Sequence, residues 1–224
     1  MKRRVTPELL DTDSGTSQEI ADSLQDLRQI NRRFGGVATT QALLEHVAKE
    51  RGLKSLSLLE VAAGASEVPA LVRPRLLKQG VQIEVTLLDR RASHFGDGST
   101  NGTRVVAGDA LALPFSDSSF DVVCSNLFVH HMAPQEVIRL VNESLRVARV
   151  AVLINDLIRH PIHLALVHAG RPLYRSRVTR HDAPASVWQA YTKKEMLDLI
   201  KKTNATRVEM TQHFLFRMGV VIWR

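Results

Sequence analysis

A chain of 224 residues, 44% apolar, is long enough for one α/β domain with a substantial core, or two small domains at most. It has no apolar run long enough to predict a membrane-spanning helix and no apolar stretch behind its basic start to make a secretory signal. Its one cysteine, Cys124, excludes an internal disulfide and any multi-cysteine metal site, so cytoplasm is the default location. The net charge of +7 is uneven: from Arg139 to Arg224, 15 Lys and Arg face 6 Asp and Glu. An anionic partner would suit that imbalance, but so would a solvated arginine-rich surface. The basic–aromatic interleaving that stacks bases is missing, which argues against nucleic acid.

Residues 1–16 mix charge with Thr, Ser and Gly and read as a loose arm. Ser17 caps a predicted helix with apolar residues at Ile20, Leu24, Leu27 and Ile30, and "NRRFGG" (31–36) breaks it. A second helix, Val37 to Arg51, presents Leu43, Leu44, Val47 and Ala48 and stops at Gly52. Residues 1–52 thus form an arm and helical cap, and 53–224 a single domain. Strands follow at Ser55–Val61, Val81–Asp89, a short run ending at Ala107, Phe120–Asn126 and Val150–Asp156. Helices alternate with them, the first made irregular by Pro69 and Pro74. Five such alternations predict a parallel sheet covered on both faces. Residues 157–190, rich in His, Arg and Pro, read as an inserted helical lid. Tyr191–Asn204 is an amphipathic helix, and "TRVEMTQH" with "FLFRMGVVIWR" should close the sheet as an antiparallel pair.

In an open parallel sheet, ligands bind at the carboxyl ends of the strands. Glu60 ends the first strand, Asp89 ends the second, and Asp109 follows the third by two residues. Asp89, 25 residues past Gly64, is placed to accept hydrogen bonds from ribose hydroxyls. Gly64 allows a sharp turn close to a ligand. The dinucleotide fingerprint and the P-loop are both absent, so a ligand with a ribose but no phosphate fits best.

"LLEVAAGAS", "VTLLDR", "VVAGDALALPFSDSSFDVV" and "NLFVHHM" together resemble the class I S-adenosylmethionine-dependent methyltransferases, in their small-molecule, quinone or polyketide branch. The resemblance covers Leu53 to Arg224. It implies a Rossmann-like, seven-stranded, mostly parallel sheet with the last strand antiparallel. Ala62 and Ser66 stand where the family prefers glycine. The cofactor implied is S-adenosylmethionine, with S-adenosylhomocysteine as product. By resemblance, Glu60 faces the cofactor's amino-acid end, Ala62 and Gly64 line the methionyl portion, and Asp89 binds the ribose. Asp109 and Ala110 hold the adenine, Asn126 sits under the methyl donor, and Arg33 is a candidate to close over the carboxylate.

His130 and His131 follow the fourth strand, where the resemblance places the acceptor. A histidine suits a general base, and His131 is favoured; a packing or capping histidine is the plain alternative. Asp156, Arg159 and His160 after the fifth strand, with His181, Trp188 and Tyr191, are candidates to complete an acceptor pocket. The spacing of His160, His163 and His168 makes no metal-ligand set, so no metal is expected. Cys124 reads as a core residue. "NDLIRH" and "TRHDAPASVWQAYT" are similar to bacterial methyltransferases encoded beside type III polyketide synthases, which implies a phenolic or resorcinol-like acceptor. The leading expectation is therefore O-methylation of a small aromatic molecule. C-methylation of a quinone-like ring, an RNA or protein substrate, and a non-catalytic scaffold stay open, as does a homodimer.

Overall fold

The computed structural model describes residues 1–64, 67–90 and 103–224. In chain order they form α1 (Ser17–Arg33), α2 (Gly36–Arg51), β1 (Ser55–Val61), α3 (Val68–Leu77), β2 (Gln82–Asp89), β3 (Arg104–Ala107) and β4 (Phe120–Asn126). Then come α4 (Pro134–Val147), β5 (Ala148–Leu157), α5 (Pro161–Ala169), α6 (Arg177–Gln189), α7 (Lys193–Ile200), β6 (Arg207–His213) and β7 (Arg217–Trp223).

The seven strands make one sheet in the order β3-β2-β1-β4-β5-β7-β6, parallel except for β7. β1 and β2 pair from Ser55 opposite Gln82 to Val61 opposite Leu88, so Glu60 and Asp89 reach the same edge. Central strands of such a sheet are covered on both faces and need near-continuous apolar runs. All seven residues of β7 are buried, and so are the last four of β1. One core lies under α4 and α7 with Leu59, Val123, Val152 and Ile154; the other lies under α2 and α3 with Leu58, Val85, Leu153 and Trp223. Cys124 belongs to the second core, and burial pushes its thiol pKa up.

Local signals set the helix ends. α1 starts in a capping box in which the Thr16 hydroxyl accepts from Glu19 N and the Glu19 carboxylate accepts from Thr16 N. The cap is thus one residue earlier than the sequence suggested. α2 ends at Gly52, whose φ of +63° is the left-handed cap that glycine adopts cheaply. α3 carries Pro69 in its first turn, where no amide donor is missed, and Pro74 in its interior. The segment 157–190, expected to be helical, holds α5 and α6.

The arm departs from its expected looseness. Residues 1–13 lie along α6 and the segment after β4. Arg3 donates to the carbonyls of Gln189 (2.6 Å), His130 (2.8 Å) and Met132 (2.8 Å), and its guanidinium stacks on Tyr191 at 4.3 Å. The Leu9 and Leu10 amides donate to Asp182, and Arg4 covers Trp188. Polar composition suggested disorder because it offers little apolar surface to bury. Here, charged hydrogen bonds to fixed carbonyls replace that driving force.

Candidate functional site at the carboxyl edge of the sheet

The chain order reverses between β1 and β4, and the loops leaving those strands meet at the same edge. At the end of β1, Glu60 is buried, 1% exposed, and its Oε1 accepts from Asn126 Nδ2 at 2.6 Å. Asn126 Oδ1 accepts from the Thr40 hydroxyl (2.7 Å). Thr40 in turn accepts from Asn155 Nδ2 (2.9 Å), which also donates to Gly36 O (2.8 Å). This chain ties the ends of β1, β4 and β5 to the first turn of α2. Sequence reasoning reached Glu60 and Asn126 but missed Thr40 and Asn155. Their one signal was their place, four residues after "NRRFGG" and one residue before Asp156.

The loop after β1 is built for close approach. Ala62 sits at φ +52°, in the left-handed region where alanine is strained, which explains why a glycine is preferred at this position. Gly64 sits at φ +51°, and a Cβ there would meet nothing within 4 Å. Its amide donates to Asp89 Oδ2 at 2.7 Å, joining the β1 loop to the β2 end. Asp109 accepts from Leu111 N and from Arg90, both at 2.9 Å; the Leu111 amide is the main cause of its lowered pKa. Ala110 beside it is 5% exposed. Open space over Gly64, buried Glu60 in β1, an acid ending β2 and one following β3 fit a nucleoside carrying an amino-acid tail. Ser66 lies outside the described residues.

Arg33 is exposed at the end of α1. The arginines that approach the β1 loop are its neighbours: Arg28 and Arg32 pair with Glu67 at 3.1 and 2.8 Å, just before α3.

Past Asn126 the backbone turns through Leu127 at φ +51°, a strained conformation for a bulky residue, and delivers His130 and His131. His130 is 3% exposed. Its Nδ1 lies 2.7 Å from Asp156 Oδ1, and its Nε2 lies 3.6 Å from Glu8 Oε1. Burial alone would lower its pKa; Asp156 and Glu8 outweigh that and push it up to about 10. His131 is more open. Its Nδ1 is 3.0 Å from Asp11 Oδ2 and its Nε2 is 4.0 Å from Glu8 Oε2. Glu8, from the arm, also accepts from Ser186 (2.6 Å) and Gln189 (2.7 Å) on α6. The arm therefore contributes two carboxylates to this cluster, Glu8 and Asp11, which no local sequence pattern announced.

The remaining candidates divide. Tyr191 is buried and donates to Met132 O at 2.7 Å; Arg159, 4% exposed, donates to Met1 O, Ala190 O and Glu195. Tyr191 and Asp156 thus stand against the His130–Met132 segment, while Arg159 and Trp188 are engaged by the arm through Met1 and Arg4. His160 is apart: its Nδ1 caps α5 by accepting from Ile162 N, and its ring stacks on Phe216. His181 is half-exposed beside Asp182. Arg217, buried to 1%, donates to Phe34 O and Asn31; its Nη1 has no hydrogen-bond partner among the described residues. Burial holds its pKa down, to about 10.

Residues 59–152 match the family described as "Methyltransferase domain". Over 118 residues the chain is 31% identical to the ubiquinone/menaquinone biosynthesis C-methyltransferase UbiE of Roseobacter denitrificans; the match takes in 49% of this chain and 43% of that relative, so the chain covers under half of that relative's length. Among solved structures it resembles the plantazolicin methyltransferase BpumL, bound to a monoazolic desmethylPZN analog and SAH (TM-score 0.68, 10% identity, 96% of this chain and 92% of that one). It also resembles a SAM-dependent methyltransferase from Aquifex aeolicus (TM-score 0.53, 18% identity, 80% and 88%). At such identities the structures share the fold.

Proposed function

We propose that this chain, which has the fold of the class I S-adenosylmethionine-dependent methyltransferases, is one of them and methylates an oxygen of a small aromatic acceptor. The observation that carries the reading is the meeting, at one sheet edge, of the acid-lined small-residue loop (Glu60, Ala62, Gly64, Asp89) with the His130–His131 segment, joined through Asn126. S-adenosylmethionine, when bound, supplies an electrophilic methyl group on a sulfonium. Glu60, Ala62 and Gly64 would hold its amino-acid end, Asp89 its ribose, and Asp109 with Ala110 its adenine. Asn126, fixed between Glu60 and Thr40, would lie under the methyl donor.

The protein's own part is mostly alignment of the acceptor oxygen, which can account for much of the rate. A phenolic acceptor must also lose its proton. His131 is the candidate base: Asp11 orients its Nδ1–H, leaving Nε2 to accept. His130, locked between Asp156 and Glu8, serves as a rigid neighbour. The basic C-terminal part supports a small molecule over RNA, because much of its charge is paired within the molecule: Arg146 with Glu143 and Asp117, Arg149 with Asp121, Arg177 with Glu19, Arg207 with Glu50. C-methylation of a quinone-like ring is the second reading, favoured by the UbiE relative; the same base would serve it.

Calorimetric titration with S-adenosylhomocysteine tests the cofactor site. The wild type should bind, and Asp89→Ala should weaken binding by about 1.5–3 kcal/mol, the worth of a hydrogen bond to a charged group. A folded wild type that does not bind would replace this reading with the scaffold alternative. Mass spectrometry over a panel of phenols and quinols would then tell oxygen from carbon as the methylated atom.

A further inference from the structure

The geometry points to a divalent transition-metal site, of the zinc class, formed by Glu8, His130 and His131. The three donor atoms lie within 4.8 Å of one another. Both imidazoles turn Nε2 toward the Glu8 carboxylate, at 3.6 and 4.0 Å, and both are held from behind by a second carboxylate on Nδ1: Asp156 for His130 (2.7 Å) and Asp11 for His131 (3.0 Å). That is the arrangement of a metal-ligating histidine, whose other ring N–H donates to an outer carboxylate that fixes tautomer and orientation. Here it occurs twice, on either side of one carboxylate. Glu8 is equally prepared. Its Oε1 is held by Ser186 and Gln189, while Oε2 faces His131.

Charge favours the same assignment. Glu8, Asp11 and Asp156 place three carboxylates around two rings whose centroids are 4.1 Å apart. Three carboxylates outnumber the positive charge that two imidazoles can carry, and a dication would offset them. Two nitrogens and one carboxylate oxygen suit zinc, with a fourth position left for water or an acceptor oxygen. The ion would pin the arm to the segment after β4. It would also take the His131 Nε2 lone pair, so ion binding and base catalysis by His131 exclude one another in a single molecule. Ion uptake is measured without methyl transfer, so its failure leaves the proposed function untouched.

The test uses the full untagged chain, stripped with chelator, titrated with Co2+ and then displaced by Zn2+, followed by visible absorption and equilibrium dialysis. One Co2+ per chain is expected, with the d–d bands of a four- or five-coordinate site, lost on zinc addition. Glu8→Gln, which keeps an acceptor for Ser186 and Gln189, and His131→Ala should each weaken binding roughly tenfold or more. Asp11→Asn, at a half-exposed side chain, should weaken it about 10–100-fold. His168→Ala, on exposed α5 surface, should change nothing. Failure of the wild type to take up Co2+ overturns the assignment, and so does uptake that is undiminished in Glu8→Gln, His131→Ala and Asp11→Asn.

Discussion

Ala62 and Gly64 share a backbone conformation, φ +52° and +51°, but not a side chain, and this separates sterics from contact. Alanine in the left-handed region costs about 1–2 kcal/mol. A methyl added at Gly64 meets no neighbour, so Gly64→Ala should lose about 1 kcal/mol from strain alone. Ala62→Gly should gain less than about 1 kcal/mol, because glycine returns entropy to the unfolded chain. Urea melts of the two variants check this pair. A Gly64→Ala protein as stable as the wild type would mean that the loop relaxes rather than strains. The sequence signal at this loop was its small residues. What it concealed was which of them bend backward, because φ is set by the hydrogen bonds on either side, Ala63 N to Leu88 O and Gly64 N to Asp89.

Among the elements, the arm behaves least like its sequence. Its order rests on a few charged contacts, with Arg3 central: three carbonyls and the face of Tyr191. Arg3→Ala should cost about 2 kcal/mol, within the range for hydrogen bonds involving a charged group, and lower Tm by roughly 4–8 °C. Hydrogen exchange at residues 1–13 should quicken while the sheet amides keep their protection. Unchanged exchange in the arm would show that Glu8 and the Leu9 and Leu10 amides hold it without Arg3. The strands and the α4 and α7 helices were legible because each buries a periodic apolar face. The arm was not, because its partners on the rest of the chain lie 120 residues or more away and no local pattern encodes a carbonyl.

On the scale of the whole molecule, one seven-stranded sheet separates two cores, and β5 feeds both: Val152 and Ile154 into one, Leu153 into the other. Leu153→Ala should cost about 2–5 kcal/mol through lost burial and a residual cavity. Because both cores share the sheet, far- and near-ultraviolet dichroism should still report one coincident transition; two separate transitions would mean that the two faces unfold independently. The sequence by itself determined the alternation of strands and helices, the closing antiparallel pair and the acids at the strand ends. Those features depend on period, turn chemistry and spacing along the chain, which are local quantities. Only the tertiary structure decided that Thr40 and Asn155 join Glu60 to Asn126, that Asp156 locks His130, and that Glu8 and Asp11 come from the far end of the chain to face two histidines. Such contacts form between segments that are distant in sequence, and their geometry exists only once the sheet has fixed where each strand ends.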